Sequence, residues 1–365
     1  MLDNGQISSR QLSILFLIFT MGDSVLILPT IVAGEAKQDA WISGILSLFF
    51  GAAIVFLYHR VGRMYPEHTL IENILTLLGK WIGSIVALLV IFYGMISIGA
   101  LLREIGDFMT SQIMVETPIT AIMILMIVVV GYAVRMGLES IARSVEIFFP
   151  WLVLLFTFLL ALLVPQIDPE HVKPVFEGGI KPILRGAIPF TSYPFIETFM
   201  ILMYLPFVKN KHEIQRSLFI GAGLGGLVLV VFTLLSILVL GSEMTSNQTY
   251  SGYKLATKIT AGDIIERVEA LLAGIWFITI FFKMILYFYA SCLGTTQLFK
   301  FKDYKFLVVP MSIITLSLSL IITDNSLYLG TVFVEQWPYY DFTFGIVLLL
   351  ILLIIGTRKL KKQKT

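Results

Sequence analysis

Residues 11–33 read QLSILFLIFTMGDSVLILPTIVA, and the fold turns on how this stretch is understood. A run of about 18 or more predominantly apolar residues makes a membrane-spanning helix. Here Met21-Gly22-Asp23-Ser24 sits in the middle of the run, followed by Leu28-Pro29. Gly and Pro weaken the helical ladder, and Asp or Ser can cap a new start. Unwound backbone inside a bilayer is tolerated only where it is buried in protein or lines a wet cavity. A second stretch of this kind follows at 186–207, where Pro189-Phe190-Thr191-Ser192-Tyr193-Pro194 falls mid-span.

Further apolar spans fit near 40–59, 81–102, 118–134, 144–164, 217–241, 264–297, 306–323 and 340–357, giving about ten transmembrane helices. Composition agrees: 57% of residues are hydrophobic, 14% are charged and the mean hydropathy is +0.90. A soluble domain needs roughly 25% charged residues to wet its surface. The runs do not alternate apolar and polar, which disfavours a β-barrel. About 17 of the 26 Lys and Arg residues fall on one side, from Arg10 through Arg60 and Lys209 to the RKLKKQK run at 358–364. That bias predicts both termini in the cytoplasm and an even number of spans. Met1 to Arg10 has no basic run, and no A-x-A site follows, so the first span is expected to stay in the mature protein. Residues 358–365 read as a basic cytoplasmic tail suited to an anionic leaflet.

The reading is of an all-α polytopic membrane protein, a single transmembrane domain over residues 1–365. Ten spans divide into a first repeat of about 11–164 and a second of about 186–357, and each half begins with an interrupted helix. Interruptions in matching positions predict a 5+5 inverted repeat with broken helices 1 and 6 and a binding site between the breaks. Two ordinary kinks are the plainer alternative. Broken helices expose amides, which suit a carboxylate, and carbonyls, which suit an ammonium; an amino acid carries both groups.

Three ionisable residues fall deep inside spans: Asp23, Glu197 and Lys283. Each costs at least a few kcal/mol if it faces lipid. Lys283 lies midway between Arg267 and Lys300, beyond snorkelling reach of either end. Trp276, Thr279, Lys283, Tyr287 and Ser291 recur at helical spacing on one face, which should look inward. Lys283 either lines the site, holding a ligand carboxylate or standing where related transporters bind a cation, or forms a buried pair with Asp23 or Glu197. Asp23 has a further alternative, capping the second half of the first helix. On the third span Tyr93, Ser97 and Glu104 share a stripe, for which core packing alone is sufficient.

Other signals carry little. Cys292 is the single cysteine, and His59, His68, His171 and His212 show no ligand spacing. Gly221-Ala-Gly223-Leu-Gly225-Gly226 lies in a span without a preceding strand, so it reads as a helix-packing surface and not as a nucleotide loop. No Walker motif, nucleophile elbow or catalytic carboxylate pair is present. No enzyme activity, cofactor, metal or nucleic-acid partner is therefore expected.

Several segments together resemble a known family. They are Gly22 with Leu28-Pro29, Gly79-Lys80-Trp81-Ile82-Gly83-Ser84-Ile85, Lys173-Pro174-Val175, Pro194-Phe195-Ile196-Glu197 with Pro206, and Glu266-Arg267-Val268-Glu269 with Trp276. In order and spacing they resemble the spore germination permeases, the B subunits of endospore nutrient germinant receptors, in the amino acid–polyamine–organocation superfamily. The family often has Pro-Phe-Gly-Glu where this chain has Ile196. The resemblance implies a LeuT-type fold in the inner membrane of the dormant spore, and partnership with an A subunit and a lipoprotein C subunit. It also implies a small nutrient ligand, typically an amino acid. Carried over by helix position, the pocket would use Gly22, Tyr93, Ser97, Phe195, Lys283 and Tyr287, beside Asp23 and Glu197. A proton- or sodium-coupled amino acid transporter is the competing function, because the same scaffold permits both.

Overall fold

The computed structural model describes residues 5–259, 268–322 and 334–362. Glu266, Arg267 and Lys364, and the first residues of the span read at 264–297, lie outside the described residues. Long apolar sequence in a bilayer has to satisfy its backbone internally, and the chain does so almost wholly with helices. Among the described residues there is no strand, only an isolated parallel bridge between Ile7 and Val208.

The first membrane segment is α1 (Ser9–Met21) followed by α2 (Ser24–Ala36). The second is α3 (Ala40–Gly62), which a single 3-10 turn separates from α2. A short amphipathic helix, α4 (Leu70–Leu78), opens with a capping box between Thr69 and Glu72. Then come α5 (Lys80–Phe108), α6 (Ile119–Arg135) and α7 (Leu138–Leu163). The sixth segment starts as α8 (Ile180–Thr191), and α9 (Ile214–Leu240) is the seventh. Two short helices, α10 (Ser242–Asn247) and α11 (Ser251–Ala256), lie between α9 and the eighth segment, α12 (Glu269–Phe299). The ninth is α13 (Val308–Ile321). The tenth is α14 (Val334–Phe342), a π-wound stretch at Thr343–Leu348, and α15 (Leu349–Lys362). These ten segments match the ten spans read from hydropathy. The basic residues Arg358 to Lys362 continue the last helix, and Lys359 donates to the carbonyls of Thr76 and Leu77, closing the end of α4.

Burial separates an inner layer from a lipid-facing one. Every residue of α12 from Phe282 to Gly294 is buried, and so is the sixth segment from Thr191 to Val208. Helices buried on all sides form the centre of a bundle. On α6 and α7, by contrast, Leu125, Tyr132, Ile147 and Trp151 are exposed apolar groups, as a hydrocarbon solvent permits. The glycine run of α9 packs against α1: a Cβ at Gly225 would lie 2.9 Å from the Cβ of Thr20. Small residues allow this approach where membrane helices have no hydrophobic drive to associate.

Both interrupted segments deviate where their sequences foretold, in different ways. The first has a two-residue gap. Gly22 takes φ +36°, its amide still closes α1 on Ile18, and α2 restarts at Ser24. Positive φ favours glycine, and a Cβ at Gly22 would also run into the side chain of Lys283. The sixth segment has no gap but changes winding, from α to a π stretch at Ser192–Ile196 and then a 3-10 stretch at Glu197–Met203. Pro194 has no N–H to give the ladder. The carbonyls of Phe195 and Ile196 are met instead by the Tyr58 hydroxyl of α3, at 2.8 and 2.7 Å.

Gly22→Ala is expected to destabilise the protein by about 1–3 kcal/mol, because it strains the backbone and displaces Lys283. Gly34→Ala, where a Cβ meets nothing within 4 Å, should be near neutral. Thermal unfolding of the two variants in detergent checks the contrast.

Candidate functional site

The break in α1–α2 leaves backbone groups unpaired at mid-membrane depth, and α12 supplies their partners. The Thr279 hydroxyl donates to the Gly22 carbonyl at 2.7 Å. One turn along, Lys283 points its ammonium at Asp23 Oδ1, 2.5 Å away, and at Glu197 Oε1 on the sixth segment, 2.8 Å away. One further turn along, Tyr287 donates to Glu197, with its hydroxyl 2.9 Å from both the backbone carbonyl and Oε1. The helical face read from Thr279, Lys283 and Tyr287 therefore does look inward. It joins the broken first segment to the rewound sixth.

Of the alternatives for Lys283, the geometry realises a pair with both carboxylates at once. Asp23 does not cap α2: it has helical backbone geometry and makes no capping hydrogen bond. Its carboxylate is turned to Lys283. A lone charge at mid-bilayer costs about 2.5–3.5 kcal/mol or more. A lysine ammonium has three donors, and here it meets two carboxylates with no exposed surface. Buried polar networks hold one arrangement best when their members are satisfied.

A second carboxylate site adjoins the first. Asp341 of α14 is fully buried and accepts from Tyr93 on α5 and Ser192 on the sixth segment, each at 2.6 Å. Trp337, one turn earlier on α14, aims its indole N–H at Glu197 Oε2, 3.4 Å away. The Tyr93 ring lies among Phe199, Tyr340, Phe344 and Trp337, with centroids 4.9, 4.9, 5.3 and 5.8 Å away. Sequence reasoning does not single out Asp341, which lies at the very edge of the span read at 340–357. The WPYYDF context at 337–342 was the available signal.

The structure thus brings Gly22, Asp23, Glu197, Lys283 and Tyr287 into one network, with Tyr93 linked through Asp341. Ser97 and Phe195 stand apart from it. Ser97 donates to the Tyr93 carbonyl on its own helix. The Phe195 ring fills the space over Gly51 of α3 and Gly226 of α9, where a Cβ would lie 2.6 Å away in each case. Ile196, the residue that departs from the family pattern, packs against Gly345 of the tenth segment.

Lys283→Met leaves two buried carboxylates without their cation and is expected to cost about 3–5 kcal/mol. Adding Asp23→Asn and Glu197→Gln to that variant should recover most of the loss, because the charges are then removed together. Unfolding temperatures of the single and triple variants, in one detergent, measure the difference.

Comparison with known proteins fits this geometry. A family model described as "Spore germination protein" matches residues 6–327. Spore germination protein KB of Bacillus subtilis is 30% identical over 367 residues, covering all of this chain and 98% of that protein. Spore germination protein YndE of the same organism is 26% identical, covering 97% of each chain. Spore germination protein XB of Bacillus anthracis is 27% identical, covering 92% of this chain and 94% of its own. Among solved structures, the nucleobase-cation-symport-1 transporter MHP1, closed around bromovinylhydantoin, aligns with a TM-score of 0.69 at 11% identity. That alignment covers 91% of this chain and 75% of MHP1. MhsT in complex with L-phenylalanine aligns with a TM-score of 0.66 at 16% identity, covering 97% and 89%. Both likenesses establish the LeuT-type fold and nothing about chemistry.

Proposed function

The chain belongs to the spore germination protein family, and on that premise we propose that it is the ligand-sensing membrane subunit of a nutrient germinant receptor. In this reading it sits in the inner membrane of the spore with both termini in the cytoplasm. It binds a small nutrient, an amino acid, at mid-membrane depth and passes the resulting change of shape to A and C subunits. The observation that carries the reading is the Lys283 bridge. One ammonium ties the break of the first segment to the sixth segment, and interrupted helices of this kind are where inverted-repeat transporters bind their substrates.

A ligand shifts a conformational equilibrium only by binding one state better than the other. At this site the means is electrostatic. Lys283, Asp23 and Glu197 formally sum to one negative charge. An incoming ligand with its own ammonium and carboxylate changes the charge balance around the bridge, and so how firmly it holds the first segment to the sixth. Gly22, Tyr93 and Tyr287 are the further residues we assign to the pocket, with Ser97 and Phe195 as packing residues behind it. The role is non-catalytic.

Transport of an amino acid coupled to protons or sodium is the second reading, because a buried Asp23–Lys283–Glu197 cluster can relay protons as well as hold helices together. Reconstituted protein separates the two. The receptor reading predicts saturable binding of an amino acid in nanodiscs, with no accumulation of label inside liposomes under an imposed proton or sodium gradient. Accumulation above protein-free liposomes favours the transporter. In spores, deletion of the gene should abolish the response to one nutrient class, and complementation with Lys283→Met should fail to restore it. Restoration to the wild-type rate would contradict the role given to the bridge.

A further inference from the structure

Six Asp and Glu side chains are buried among the described residues: Asp23, Asp39, Glu104, Asp107, Glu197 and Asp341. Five have partners. Asp23 and Glu197 hold Lys283, and Asp341 holds Tyr93 and Ser192. Asp107 meets Arg103, and Asp39 accepts from the Phe176 amide. Glu104 is the exception: it is 8% exposed and its Oε1 has no hydrogen-bond partner. An unsatisfied carboxylate oxygen in a membrane interior carries a large desolvation cost. Such a group in a native structure calls for a specific explanation.

Its surroundings supply one. α5 and α12 run antiparallel, with the Tyr93 ring 6.4 Å from that of Tyr287 at one level and Phe108 against Trp276 at another. Glu104, one turn before Phe108, therefore lies on α5 between those levels, as Thr279 and Lys283 do on α12. One turn further along α5, the Phe108 ring lies 4.7 Å from Trp276 of α12, 5.1 Å from Tyr250 and 5.3 Å from Tyr253. Tyr250 and Tyr253 come from the start of α11, whose Gly252 rests on the carbonyl of Val25 in α2. Glu104 therefore lies between the Lys283 bridge and a roof of aromatic rings. Trp276 is fully buried, and its indole N–H also has no partner. An unpaired acceptor on α5 and an unpaired donor on α12 thus flank the same Phe108 ring.

Charge selects what can satisfy them. Lys283 is shared by Asp23 and Glu197, and Glu104 adds a third buried carboxyl group with no cation paired to it. A ligand entering here is favoured if it brings positive charge, and aromatic faces favour ammonium groups as well. An unpaired indole N–H asks for an acceptor. We propose that Glu104 receives the ammonium and Trp276 the carboxylate of an α-amino acid, with Tyr250 and Tyr253 closing over it. This deepens the receptor reading and rests on it. Of the sequence alternatives for Lys283, this assignment takes the buried pair and not the ligand carboxylate: Lys283 stays with its own carboxylates, and Glu104 recognises the ligand's cation.

The test uses the full chain in nanodiscs, titrated calorimetrically with the standard L-amino acids. The tightest binder is then compared with its deaminated acid and its decarboxylated amine. Wild type should lose about ten- to a hundredfold in affinity for the deaminated acid, and less for the amine. Glu104→Gln should weaken the amino acid by a similar factor and abolish the preference for it over the deaminated acid. Glu104→Asp should restore part of that preference. The ratio of affinities discriminates, since a purely structural role for Glu104 lowers stability without changing it. An unchanged ratio in Glu104→Gln overturns this assignment and leaves the receptor reading standing. If wild type binds none of the amino acids, both fall together.

Discussion

Much of this structure depends on one ammonium group. Lys283 reaches the bundle centre from a helix buried on every side and is neutralised there by Asp23 and Glu197. Those carboxylates come from the first and sixth segments, where backbone regularity fails. The two irregularities and the charges explain one another. A gap at Gly22 lets the chain approach the lysine closely, and the lysine makes a buried Asp23 tolerable. Removing either alone leaves the other as a cost inside the membrane.

Around the bridge, hydroxyl groups take over hydrogen bonds that the helices have given up. Thr279 meets the carbonyl of Gly22, and Tyr58 meets those of Phe195 and Ile196. Tyr287 meets that of Glu197, and Tyr204 meets that of Leu286. These partners come from neighbouring helices, so the irregular backbone is stable only while the bundle is assembled. That dependence makes the centre a place where a small ligand can act: exchanging a few hydrogen bonds there changes how the segments hold together.

Much of this was legible in the sequence because a bilayer imposes strong rules. Span length, charge bias and the Gly22 and Pro189–Pro194 interruptions gave the ten-segment layout. The inward face of Thr279, Lys283 and Tyr287 followed from helical spacing alone. Other features depended on tertiary placement. Asp341 lay at an uncertain span boundary, and Tyr58 sits in an ordinary apolar run with nothing local to mark it. Phe195 lies where the sixth segment winds from α to π, and helix position does not say which way a side chain turns there; the Ser97 hydroxyl bonds its own helix, which position also does not reveal. Glu104 was visible as a polar residue on α5, but its lack of a partner is a property of three helices and could not be read from one.

The account's central claim is that Lys283 bridges Asp23 and Glu197 at a site that an amino acid occupies. An experimental structure of the protein in a lipid nanodisc, with and without its amino acid, tests this most directly. The account predicts the lysine ammonium within hydrogen-bonding distance of both carboxylates in the free protein, and ligand density beside the Gly22 break among the first, third, sixth and eighth segments. Lys283 turned toward lipid, or an amino acid bound at a site remote from the break, would contradict it.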